Sequence, residues 1–242
     1  MTGVFITSTG TGIGKTFITT SLLRCDQTQK NFLSASKPII SGWPKATQEN
    51  QQHEIQYTDT GLILKAQGKA VTKEFIEAIS PWRFDAPLAP DMAAKRQNKE
   101  IHPESLISHS KMQIEQAQKE QKVHLIEGVG GVMVPINQTF TVLDWCQALN
   151  CPCILVVGSY LGTLSHTLTA ISVLQMRGIK ILALVVNETP QSSGSLHETS
   201  QCLMTLLPEI NVFTLNYDHS CNEQTILPLY HYLYSNFQKQ KI

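Results

Sequence analysis

The segment Ser8-Thr9-Gly10-Thr11-Gly12-Ile13-Gly14-Lys15-Thr16 follows a short apolar run, residues 3–8. After it comes residues 15–23, in which Phe17, Ile18, Ser21 and Leu22 recur at helical spacing. A strand that turns through glycines into a helix can aim successive backbone N–H groups at phosphate oxygens, because glycine reaches positive φ and adds no side chain. The helix N-terminus contributes partial positive charge at the same place. In that frame Lys15 reaches the outer phosphates of a nucleotide, and the Thr16 hydroxyl is placed to ligate Mg²⁺. The usual G-x-x-x-x-G-K-[ST] spacing wants glycine at position 9, where this chain has Thr9, so the loop is a variant with Gly10 and Gly12 inside it.

The rest of the chain repeats the same alternation. Short β-branched runs at 32–37, 123–127, 153–158, 179–187 and 211–215 are apolar at nearly every position, which marks strands buried on both faces. Helical patterns at 103–120, 143–149, 164–177, 196–207 and 226–238 lie between or after them. The expected fold is α/β, a doubly wound, mostly parallel sheet of the P-loop NTPase type, as a single domain over residues 1–242. Ligands of such sheets bind at the carboxyl ends of the strands. Residues 43–58 are Gln-rich without apolar periodicity and are expected to form an exposed loop, long enough to act as a flap.

Charge narrows the function classes. Nineteen Lys and Arg balance nineteen Asp and Glu, so the chain has no general field to attract a nucleic-acid backbone, and no nucleic-acid partner is expected. The N-terminus lacks the charged start of a signal peptide, and no apolar run has the ~18 residues of a membrane span, so a cytoplasmic protein without a membrane partner is expected. Six cysteines are too few for a disulfide scaffold, and Cys151-Pro152-Cys153 lacks a second pair at zinc spacing, so reduced thiols are expected.

Two strand ends add chemistry to the loop. The run at 32–37 ends in Lys37, a second lysine beside the same crevice, and two fixed cations near one triphosphate suit phosphoryl transfer. The run at 123–127 ends in Glu127, followed by Gly128, Val129, Gly130 and Gly131, where a metal-binding acid of such a fold belongs. Asp59 opens the helix expected after the polar stretch; it is either a further Mg²⁺ ligand or a helix N-cap.

Assembled in order, these residues resemble the dethiobiotin synthetases, ATP-dependent ring-closing enzymes of biotin synthesis. The likeness is carried by T-x-x-G-K-T at 11–16, K-P-x-x-S-G at 37–42, E-G-x-G-G at 127–131, Pro135-Ile136, V-G-x-x-L-G-x-x-x-H at 157–166, and Val186-Asn187. It implies that Lys15 and Lys37 are catalytic and hold phosphates and carbamate. Gly12, Ile13, Gly14, Lys15, Thr16 and Phe17 would wrap the phosphates, Glu127, Gly128, Val129 and Gly130 would flank nucleotide and substrate, and Asn187 would contact adenine. Ser41 and Lys37 would meet the substrate, with Leu161 and Gly162 reaching that of the neighbouring subunit in a homodimer. Thr16, Asp59 and Glu127 would ligate Mg²⁺. The implied reaction takes 7,8-diaminononanoate, CO2 and ATP through a carbamate and a carbamic-phosphoric mixed anhydride to dethiobiotin, ADP and phosphate. The alternatives are a nucleotide-switched ATPase of the cell-division or partition kind, and a regulatory homologue lacking the synthetase activity. The first would carry an extra lysine near Thr9 or Gly10 that this chain lacks.

Overall fold

A computed structural model describes residues 2–45, 51–190, 194–216 and 223–239. In chain order the elements are β1 (Gly3–Ser8), α1 (Lys15–Thr28), β2 (Leu33–Ser36), β3 (Ile39–Ser41), α2 (Gln51–Ile55), α3 (Asp59–Ala66), α4 (Lys73–Ile79) and β4 (Trp82–Phe84). They continue as α5 (Pro90–Arg96), α6 (Pro103–Lys119), β5 (Val123–Glu127), α7 (Val142–Leu149), β6 (Cys153–Gly158) and α8 (Thr163–Met176). Last come β7 (Ile181–Asn187), α9 (Leu196–Leu206), β8 (Val212–Leu215) and α10 (Glu223–Gln238). Six strands form one parallel sheet in the order β2-β5-β1-β6-β7-β8. From β1 the chain winds first to one side, to β2 and back to β5, and then to the other, to β6, β7 and β8. The carboxyl end of β1 is therefore a switch point, which opens the crevice where the glycine loop sits.

Every residue of β1, β5 and β6 is buried, as the continuous apolar runs require. Successive side chains go to opposite faces. Val4, Ile6, Leu125, Ile154 and Val156 pack with α1, α3 and α10 through Ile18, Leu22, Leu64 and Leu229. Phe5, Ile126, Leu155 and Val157 pack on the other side with α6, α7 and α8 through Leu106, Trp145 and Ile171. Truncating a fully buried isoleucine such as Ile6 in a core of this kind costs about 2–5 kcal/mol. Phe5 meets Trp145 edge-on at 4.8 Å, and the Trp145 indole N–H donates to Ser110 Oγ at 3.1 Å, so the large ring is buried with its polar atom satisfied.

A buried carboxylate joins the first and last helices to the edge of the sheet. Asp26, near the end of α1, accepts from the N–H groups of Phe32 (2.9 Å) and Leu33 (2.7 Å) and from the Tyr230 hydroxyl of α10 (2.9 Å). In α7, Thr141 and Asp144 cap each other's backbone and fix where that helix starts.

The structure departs from the sequence expectation around the first crossover. The run expected at 32–37 forms β2 and ends at Ser36, but beyond Pro38 the unforeseen strand Ile39–Ser41 pairs with β4 in a separate two-stranded parallel sheet. Proline has no N–H for a ladder, so the chain changes sheets there. The expected loop at 43–58 contains α2, which is anchored because Ile55 packs on the core and His53 meets the Tyr57 ring at 5.1 Å; its residues 46–50 lie outside those described. Asp59 is not the N-cap of α3: Thr58 takes that position, accepting from Gly61 N–H at 3.2 Å, and frees the Asp59 carboxylate for other partners. Tyr217 and Asp218, which follow β8, lie outside the described residues. Among the described residues no helix is long and apolar enough to cross a membrane.

Candidate active site

The glycine loop leaves β1 and enters α1 through Gly14, which has φ 105° and occupies the N-cap without a side-chain hydrogen bond. Only glycine adopts that conformation without strain, and a Cβ there would lie 2.3 Å from Asn187 Nδ2. Lys15, the first residue of the helix, folds its ammonium back over the loop. It donates to Ser8 Oγ at 3.0 Å, Gly10 O at 3.2 Å and Gly130 O at 2.8 Å. Burial, reinforced by repulsion from Lys37, lowers the Lys15 pKa from 10.5 to about 8, against the opposing pull of Glu127 and Asp59.

The second centre is an ion cluster. Lys37 Nζ lies 2.7 Å from Glu127 Oε1 and 2.9 Å from Asp59 Oδ2, and Thr16 Oγ1 donates to the same Glu127 Oε1 at 2.6 Å. Burial alone would lower the pKa of Lys37, but the charges of Glu127 and Asp59 outweigh it and raise it, keeping the ammonium protonated. Burial likewise opposes ionisation of Asp59, and Lys37 more than reverses this, holding the carboxyl below its ordinary value. Glu127 Oε2 is buried without a hydrogen-bond partner. Among the described residues no three His, Cys, Asp or Glu gather into a metal cluster. The Thr16 hydroxyl and the carboxylates of Asp59 and Glu127 nevertheless form an all-oxygen set of the kind Mg²⁺ takes when phosphates complete its shell.

These groups face one cavity of about 810 Å³, large enough for a nucleotide's phosphates together with a small substrate. Of the residues singled out in the sequence, Gly12, Gly14, Lys15, Thr16, Phe17, Lys37, Ser41, Asp59, Val129 and Gly130 line it. Glu127 is fully buried behind them and acts on the cavity through Lys37 and Thr16. The fold also brings in the segment from Pro87 to Pro90 with Ile40, which sequence reasoning gave no role. Its only local signal was a pair of prolines, which stiffen a chain but do not say what it borders. The Ser41 hydroxyl has no hydrogen-bond partner and is at the cavity wall.

Three expected contacts lie elsewhere. Asn187, at the end of β7, packs under the loop rather than lining the cavity; its Nδ2 donates to Ile13 O at 3.1 Å and its Oδ1 is buried without a partner. Leu161 and Gly162 are at the head of α8, where Gly162 caps the helix and Leu161 is 89% exposed. Neither lines the cavity of its own chain.

A family model described as an AAA domain matches residues 2–226. The ATP-dependent dethiobiotin synthetase of Methylobacterium nodulans is 41% identical over 190 residues, 78% of this chain and 82% of that protein. The chain belongs to the dethiobiotin synthetase family. The corresponding protein of Acidiphilium cryptum is 38% identical, over 84% of this chain and 87% of its own length. Among solved structures, the septum site-determining protein MinD of Pyrococcus horikoshii, in complex with Mg-ADP, matches at 15% identity with a TM-score of 0.55, covering 96% of each chain. MinD of Aquifex aeolicus matches at 11% identity with a TM-score of 0.56, over 97% of this chain and 98% of that one. At such identities the likeness is one of fold, and it shows the P-loop sheet architecture that the glycine loop announced.

Proposed function

We propose that the chain is an ATP-dependent dethiobiotin synthetase that closes the ureido ring of dethiobiotin from 7,8-diaminononanoate, CO2 and ATP. The observation that carries this reading is the joining of two lysines, two carboxylates and a P-loop threonine at one cavity. A carbamate oxygen is a weak nucleophile facing a polyanion, so fixed cations must neutralise both and hold them in line. On this reading Lys15 would meet the outer phosphates of ATP and Lys37 the phosphates and the carbamate, and both line the same cavity as Ser41. The backbone N–H groups of the glycine loop bind and orient the phosphates. In the ligand-free protein the neighbouring carboxylates raise the Lys37 pKa and hold it protonated, so it is available as a fixed charge rather than a base.

Mg²⁺ fits the oxygen set of Thr16, Asp59 and Glu127, and when bound it would supply charge neutralisation of the transferred phosphoryl group. The family resemblance implies an adenine contact for Asn187, which lies under the loop rather than in the cavity wall and whose buried Oδ1 is an acceptor without a protein partner. The family resemblance implies that Leu161 and Gly162 would reach the substrate of a second subunit. That neither residue lines its own cavity, and that Leu161 is exposed, supports a homodimer.

The deciding measurement is ADP release with ATP, Mg²⁺ and bicarbonate, with and without 7,8-diaminononanoate, while dethiobiotin is followed by mass spectrometry. Diamine-dependent ADP and dethiobiotin in equal amounts are expected. ATP binding without any product would overturn the substrate assignment and leave the nucleotide site standing.

A further inference from the structure

Lys37 stands where the chain passes from one sheet to the other, between the end of β2 at Ser36 and Pro38. Neither ladder can satisfy its main-chain groups there, yet the residue is only 4% exposed, so both groups need partners from elsewhere. The end of α4 supplies them. Lys37 N–H donates to Ile79 O at 3.1 Å, and Ser80 Oγ donates to Lys37 O at 2.7 Å. With the Ser80 hydrogen engaged in that bond, the 2.8 Å contact between Ser80 Oγ and Thr60 Oγ1 has Thr60 as donor. Ser80 and Thr60 are both fully buried, and Thr60 directly follows Asp59, whose carboxylate grips the Lys37 ammonium at 2.9 Å. The Lys37–Asp59 ion pair is thus backed by a second path: Thr60 hydroxyl to Ser80 hydroxyl to Lys37 carbonyl.

We propose that Ser80 is a positioning residue of the ring-closing reaction, setting the placement of the Lys37 ammonium relative to Asp59 through the hydroxyl chain it forms with Thr60. The proposal rests on the synthetase reading for its effect on turnover. Ser80 touches neither substrate nor nucleotide; it is outside the cavity and acts only through Lys37 and Asp59. Removing its hydroxyl leaves a buried carbonyl without that donor, and the crossover must shift to find another. A displacement of about 1 Å in a group that neutralises charge in the transition state lowers turnover about a hundredfold. The glycine loop belongs to a separate element and keeps its own hydrogen bonds, so nucleotide affinity should not follow.

The test compares Ser80→Ala, Thr60→Val and the double variant with the unmodified protein. Three quantities are measured: kcat and KM for dethiobiotin formation, ADP binding, and the nitrogen-15 chemical shift of the Lys37 ammonium in the ligand-free protein. Expected for Ser80→Ala is kcat reduced about tenfold to a hundredfold, ADP affinity unchanged within about twofold, and a displaced Lys37 ammonium resonance. The double variant should fall no further than Ser80→Ala, because both changes break one path. Unaltered kcat with an unmoved Lys37 resonance in Ser80→Ala overturns the proposal, as does parallel loss of ADP binding and turnover. If Ser80→Ala does not fold, Thr60→Val carries the same readouts with the same expected directions. Should the unmodified protein make no dethiobiotin, the synthetase reading fails by itself, and the Lys37 resonance still decides whether Ser80 places the ammonium.

Discussion

Lys37 and Glu127, 90 residues apart in the chain, meet at 2.7 Å with side chains 5% and 0% exposed. The pair joins the end of β2 to the end of β5, adjacent strands of the sheet. A buried pair of this kind is costly to break on one side, since the remaining charge has no solvent to replace its partner.

Replacing Lys37 by Gln removes the cation and leaves Glu127 and Asp59 facing each other. Dethiobiotin formation should be lost while ADP still binds, since the phosphate loop keeps Lys15. Unfolding should become easier by about 3–5 kcal/mol in the absence of metal. Mg²⁺ should then raise the Tm of Lys37→Gln more than that of the unmodified protein, because the carboxylates have lost their internal counterion. Turnover like that of the unmodified protein would remove Lys37 from the mechanism.

Glu127→Ala deletes the carboxylate that both Thr16 and Lys37 approach. The Mg²⁺ concentration at half-maximal turnover should rise by about tenfold or more, and a Mg²⁺ titration of activity checks this. An unshifted midpoint would exclude Glu127 from the metal site.

Lys15 gives a pH prediction with a definite sign. Its pKa falls from 10.5 to about 8 in the folded chain, so between those values the unfolded state holds the proton and the native state does not. The stability contribution of this group therefore rises with pH across that window and is most unfavourable below about 8. Lys15→Met should stabilise the ligand-free protein at pH 7 by on the order of 2 kcal/mol, with the gain shrinking toward pH 10, as urea unfolding at several pH values will show. The same variant should lose ATP binding. In the unmodified protein, ATP affinity should be flat below pH 8 and decline above it.

Gly14→Ala tests the geometry of the loop. At φ 105° an alanine is strained, and its methyl would collide with the Asn187 amide 2.3 Å away. Nucleotide affinity should drop by more than about tenfold, measured by calorimetry with ADP. Unchanged affinity would show that the loop reaches its binding form with Asn187 displaced.

Local chemistry made much of this protein legible from its residues alone. The phosphate loop, its helix, and the strands of the main sheet follow from glycine's conformational freedom and from continuous β-branched runs, both of which act within a few residues. Lys37 and Glu127 could be placed at the crevice because each directly ends such a run and strand ends share one side of a parallel sheet.

Other features were decided only by how distant segments pack. The small sheet of β3 and β4 joins two three-residue strands with no periodicity to announce them, and it exists because Pro38 ends one ladder and the segment after Ser80 offers another. That Asp59 is a site carboxylate rather than a helix cap depends on Thr58 taking the cap and on Lys37 arriving from another strand. The Thr60–Ser80–Lys37 chain leaves no mark in any local window, and the prolines of 87–90 do not say which cavity they border. Backbone preference and hydrophobic pattern are short-range and are written along the chain. The satisfaction of buried polar groups is a property of the closed structure, because each partner is supplied by whichever segment the packing brings near.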